Sequence, residues 1–127
     1  MLPHTAQWVD RAEVDWISLT GLRRMNDERV APVICFLSHS TVEKYIKAWL
    51  VENGVEPPRS HYLLPLIDLL PNEAPLWSHL RQGLDELTPY AIQGRYFGEE
   101  LDAEDAKFAR RLAREVRSLI RERLGLG

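Results

Sequence analysis

The stretch from Glu28 to Asn53, ERVAPVICFLSHSTVEKYIKAWLVEN, decides the fold. Val30, Ile34, Leu37, Val42, Tyr45, Ile46, Trp49 and Leu50 recur at helical spacing and give it a broad apolar face. Pro32 falls in the first turn, where a missing N–H does no harm, and Gly54 follows as a C-terminal stop. A helix of this length spans roughly 37 Å at 1.5 Å per residue. Such a helix needs company on more than one side, and the flanking sequence supplies it.

Upstream, Val9, Ala12, Trp16, Leu19 and Arg23 step by threes and fours with Trp8 beside them, predicting a first helix over about Thr5 to Met25. The charged stretch Arg23 to Glu28 ends it and turns the chain back. Downstream, Pro57 and Pro58 make the segment Val55 to His61 an extended loop. Short helical pieces are expected over His61–Leu70 and Pro75–Leu87, with a continuation from Thr88, whose side chain can cap a turn opened by Pro89. The last helix should open at Asp102, with Glu104 and Asp105 in its first turn, and run to about Leu124 before Gly125. Phe108, Leu112, Val116, Leu119 and Ile120 would face inward. With no sustained polar–apolar alternation and no Asn-Gly or Asp-Gly hairpin turn, the expected class is all-α, an up-and-down bundle of four or five helices.

Composition narrows the rest. The 127 residues, 45% hydrophobic and 28% charged, carry no repeat or flexible linker, so one folded domain over 1–127 is expected. Cys35 is the single cysteine and lies in an apolar run, which rules out an intrachain disulfide and predicts a buried, inert thiol. Neither a signal peptide nor an apolar run of membrane-spanning length is visible, so a cytoplasmic protein is expected. The net charge of −3 is unevenly spread: residues 103–127 hold seven Lys/Arg against four Asp/Glu, a basic element on an acidic body. No His, Cys, Asp or Glu cluster recurs at metal-ligand spacing and no glycine loop suits a phosphate, so neither a metal nor a cofactor is expected.

The run FLSHSTVEKYIKAWL over Phe36–Leu50, then Gly54, Pro57, Pro58 and Ser60-His61-Tyr62-Leu63-Leu64, resembles the HEPN family. The second helix of that family typically carries a Glu-Lys-x-x-Lys-Ala core followed by a Gly, a Pro and a His-x-Leu segment. Leu87 to Tyr90 and Arg95-Tyr96 are similar to its Leu-x-x-Tyr and Arg-Tyr segments, and the resemblance runs from about Trp8 to Leu124. It implies a four- or five-helix bundle, usually a homodimer, acting with a minimal nucleotidyltransferase and similar to the helical domain of kanamycin nucleotidyltransferase. Many relatives are ribonucleases or toxins that use an Arg followed four to six residues later by a His. This chain departs there: nine residues separate Arg29 from His39, one separates Arg59 from His61, and no pair has the family's spacing. The ribonuclease activity therefore does not carry over, and a non-catalytic nucleotide- or RNA-binding subunit is the expected role.

The candidate groove for a nucleotide or RNA comprises Lys44, Lys47, His61, Arg95 and Tyr96. Lys47 would meet an anion, although Glu43 and Lys47 also suit a simple i, i+4 pair on a solvent face. His61 opens a helical piece after two prolines and could equally be a packing residue. Arg95 offers a planar fork for phosphate and Tyr96 a stacking face, or the two could close the bundle. Ser38, His39, Ser40 and Thr41 make a polar notch explained by hydroxyls bonding to the preceding turn, and His79 reads as structural. Arg110, Arg114, Arg117 and Arg121 step by four, three and four, forming one basic face for solvent or for a phosphate backbone. The alternative is a divergent RNA-cleaving toxin with His61 as acid/base and Arg95 or Arg59 stabilising the phosphorane.

Overall fold

The computed structural model describes residues 1–70, 77–92 and 101–127, and among these every regular element is helical, with no strand. Helix α1 (Pro3–Arg24) starts two residues before the periodicity suggested, because Pro3 is pre-set for the first turn and the residues ahead of it find partners. The Leu2 N–H and the Thr5 hydroxyl both donate to the Glu52 carboxylate at 2.9 Å, pinning the start of α1 to the end of the next helix. Asn26, in the left-handed region at φ 53°, reverses the chain, and Asp27 caps a single 3₁₀ turn over Glu28–Val30.

Helix α2 (Ala31–Glu52) is the centre of the molecule: thirteen of its 22 residues are buried, against five in α1. A helix buried nearly all round must be enclosed, and α1, the last helix and the intervening short elements pack against it. Gly54, at φ 77°, ends α2 in a Schellman motif, its N–H reaching Val51 O while Val55 N–H reaches Leu50 O at 2.9 Å.

The return path is broken into α3 (Leu63–Ile67), α4 (Arg81–Leu87) and α5 (Pro89–Ile92). Thr88 does not cap α5 as expected. It is buried, its hydroxyl donating back to Leu84 O at 3.1 Å and accepting from Leu63 N–H at 3.5 Å, which ties α4 to the start of α3. Helix α6 (Ala103–Arg123) opens at Asp102 in a complete capping box with Asp105, and Gly125 closes it in a second Schellman motif. Its deepest line is Ala106, Ala109, Leu112, Ala113, Val116 and Ile120. Phe108 and Leu119, expected inward, are only half-buried, because the alanines bring the α6 backbone close to α2 and leave bulky neighbours on the flank. Tyr90 of α5 meets Phe108 edge-on at 6.4 Å and donates to Asp105 at 3.3 Å.

The result is the all-α bundle expected, with α1 and α2 antiparallel and α6 alongside α2. Cys35 is fully buried and its thiol is pushed up to about 12, by burial and then by the charges of Asp105 and Asp102, which makes it unreactive. Among the described residues, no helix is long and apolar enough to cross a membrane.

The two backbone roles of glycine give a paired prediction. Gly54 needs φ 77°, whereas Gly21 sits within α1 with open space where a Cβ would lie. Gly54→Ala should lower stability by about 1 kcal/mol, and Gly21→Ala should raise it by about 1 kcal/mol in urea titrations.

Candidate functional site

Residues 39, 43 and 47 of α2 stand one turn apart on one face, and that face is not open to solvent: His39 is 1%, Glu43 8% and Lys47 6% exposed. A carboxylate so placed needs partners, and Glu43 has two. Its Oε2 accepts from Lys47 Nζ at 2.9 Å and its Oε1 from His61 Nδ1 at 2.7 Å. The solvent-face reading of the Glu43–Lys47 pair is therefore corrected: the pair exists but is buried. Lys47 does not project into an open groove either, since its ammonium is spent on Glu43 and lies 5.6 Å from the Trp8 ring centroid.

His61 is held at two points. Glu43 orients its ring, and its backbone carbonyl accepts from His39 Nε2 at 2.9 Å. His39 must carry its proton on Nε2 to make that bond, and burial depresses its pKa to about 4, so it stays neutral at ordinary pH despite Glu43 nearby. The polar notch read from Ser38 to Thr41 thus has a different centre. Thr41 does bond back to Leu37 O at 2.8 Å, but His39 clamps the loop after α2. With Nδ1 donating to Glu43, His61 presents Nε2 from a side chain that is 69% exposed. A carboxylate-oriented imidazole with a free second nitrogen can accept or donate one proton, or donate to an anionic oxygen.

The other candidates do not all gather here. Lys44 turns toward α1 and bonds Asp15 at 2.8 Å, a separate contact from the Glu43 group. Arg59 is exposed in the loop two residues before His61. Arg95 and Tyr96 lie outside the described residues. His79, read as structural, is exposed on the helical turn that follows buried Trp77.

Nor is the arginine row of α6 one free face. Arg117 forms a two-pronged pair with Glu13 at 2.8 and 2.7 Å and lies 5.2 Å from the Trp16 ring centroid. Arg121 reaches Tyr45 Oη at 3.3 Å and Glu13 at 3.5 Å, while Tyr45 donates to Glu13 at 2.5 Å. Arg117 holds the Glu13 carboxyl below the ordinary carboxylate range, and burial pushes the Tyr45 phenol up to about 12. This network bolts α1, α2 and α6 together. Arg114 is exposed and Arg110 half-buried.

A protein-family model for the HEPN domain matches residues 5–123, from the first turn of α1 to the end of α6. The chain belongs to the HEPN family. No curated protein and no solved structure matches it. Within this HEPN domain, sequence reasoning named Lys47 and His61 as candidates and read Glu43 and His39, the groups that hold them, as part of a solvent-face pair and of a polar notch. The signal available was the spacing of His39, Glu43 and Lys47, which places all three on one face of a helix whose other residues are apolar.

The neutral state of His39 carries a pH dependence. Its folded pKa lies below the unfolded value of about 6.5, so the unfolded chain binds the proton first and stability falls as pH drops from about 6.5 toward 4. The loss should approach roughly 3 kcal/mol, and His39→Gln, which keeps a donor for the His61 carbonyl, should flatten that segment of a stability–pH curve. An unchanged slope in the variant would show that other groups cause it.

Proposed function

We propose that this HEPN protein, one domain over residues 1–127, is a cytoplasmic nucleotide- or RNA-binding subunit acting beside a minimal nucleotidyltransferase. The observation that carries the reading is His61, whose ring is fixed by a buried carboxylate while Nε2 is offered at the surface. The family resemblance supplies the nucleotide and the transferase partner. In this reading Nε2 contacts a phosphate or base edge, Glu43, Lys47 and His39 hold the imidazole in place, and Arg95 and Tyr96 supply the phosphate fork and stacking face that the family resemblance implies. An anisotropy titration with a short labelled RNA, followed by one with ATP, should show binding that weakens about tenfold in His61→Ala with no RNA cleavage. Co-expression with a nucleotidyltransferase encoded next to this chain should give a co-eluting complex, and the reading fails if neither binding nor complex is seen.

A second reading, a divergent ribonuclease or toxin, draws on the same Glu43–His61 pair, because a carboxylate-held imidazole is the arrangement general acid–base catalysis uses. Arg59 or Arg95 would then stabilise the phosphorane. Degradation of structured RNA by the purified protein, lost in both His61→Ala and Glu43→Gln while the far-ultraviolet spectrum stays helical, would replace the first reading with this one. The expected loss is about a hundredfold or more.

We further propose a homodimer formed through α1. Val14 is 63% and Ile17 67% exposed, one turn apart, and Gly21 continues the same strip with no side chain in the way. Two large apolar side chains side by side on a helix suit burial against a second copy. Light scattering should give a dimer mass that Ile17→Glu reduces to 14.7 kDa with unchanged helicity.

A further inference from the structure

Where the end of α1, the turn after it and the starts of α2 and α6 meet, the surface folds into a cavity of about 310 Å³. Its lining includes Arg23 from α1 and Lys107 and Arg110 from α6, with Leu22, Ile34 and Ala106 beside them. None of the three cations forms an ion pair or hydrogen bond with another described residue, unlike Arg117 and Arg121 further along α6. Arg110 is half-buried, and its guanidinium is held below its ordinary value by burial and then by the charges of Arg23 and Arg114. Crowding like charges in a concave, partly desolvated place is unfavourable unless something of opposite sign is bound there.

Among the described residues, the carboxylates on the wall do not answer the need. Asp27 is occupied by Arg29, which it holds at 2.7 to 3.1 Å, and Glu28 is exposed on the 3₁₀ turn. The amino terminus of α6 is also taken, by its own capping box, so the cationic side chains are what the cavity offers. Three cations, two of them planar forks, match a dianion better than a monoanion. The volume is at the small end of ligand sites, and the apolar side chains ask for an apolar body attached to the anion. We propose that this cavity binds a small organic phosphomonoester, its phosphate held by Arg23, Lys107 and Arg110 and its apolar body against Leu22, Ile34 and Ala106. The site shares no residue with the Glu43–His61 group and stands independently of the proposed function.

The test uses the full chain with phenyl phosphate, inorganic phosphate and phenol as probes at constant ionic strength. Phenyl phosphate should raise Tm more than inorganic phosphate, and phenol should leave it unchanged. Calorimetry should show phenyl phosphate affinity falling about tenfold or more in each of Arg23→Gln and Arg110→Gln. Arg110→Gln without ligand should melt no lower than the parent, since it removes a crowded charge, so its lost binding is not lost folding. Arg23 is exposed, and its variant provides a second folded control. His61→Ala should bind phenyl phosphate as the parent does. Equal shifts from phenyl phosphate and inorganic phosphate, no shift at all, or affinity retained in Arg23→Gln would overturn the proposal.

Discussion

A carboxylate in the middle of a buried helix is costly to leave alone: removing it from water without partners costs several kcal/mol, far more than one surface ion pair returns. Glu43 is in that position, and much around it follows from meeting the requirement. Lys47, one turn on, supplies the charge, and Trp8 from α1 covers the ammonium with a ring face. The second oxygen is satisfied from outside the helix, by a histidine on the far side of a two-proline loop. The loop can deliver that ring only if its backbone is also fixed, which is what His39 does by donating to the His61 carbonyl. Burial that keeps His39 uncharged serves the arrangement, because a second positive group beside Lys47 would compete for the same carboxylate.

Glu13 shows how the same chemistry yields a different outcome. It too gathers several donors, from Arg117, Arg121 and Tyr45, but all come from helix interiors and the two-pronged geometry uses both oxygens. No group is left facing outward with unused capacity, so the network contributes to cohesion between α1, α2 and α6. Around Glu43, one partner sits on a loop and retains a free ring nitrogen. The difference lies in where the donors are anchored, and it is why the first cluster reads as a site and the second as a fastening.

Helical class, the long elements and their stops were legible because each rests on local signals: apolar steps of three and four, Pro32 in a first turn, Asp102 as a cap, and Gly54 and Gly125 past the ends. Less legible was anything decided by what lies across the bundle. Phe108 looks like a core residue from its spacing, but the alanines at 106, 109 and 113 take the closest approach to α2. Glu43 and Lys47 have the pattern of an exposed pair, and only the enclosure of α2 on all sides turns them inward. The row of Arg110, Arg114, Arg117 and Arg121 shares a helical period, yet it spans two environments, and Glu13, about a hundred positions away in sequence, claims half of it.

The uneven charge seen along the chain acquires its meaning from that division. A basic final helix on an acidic body suggests a general electrostatic surface, but part of the attraction is already discharged inside the molecule: α6 packs where Glu13 can meet Arg117 and Arg121. Part of what remains positive is local. It collects where α1 ends and α6 begins, because the last turn of α1 brings Arg23 against the early turns of α6 and no carboxylate from α2 reaches between them. Net charge in this fold is therefore a poor guide to binding. The informative quantity is which cations still lack a partner after the helices have packed, and that depends on register between helices far apart in sequence.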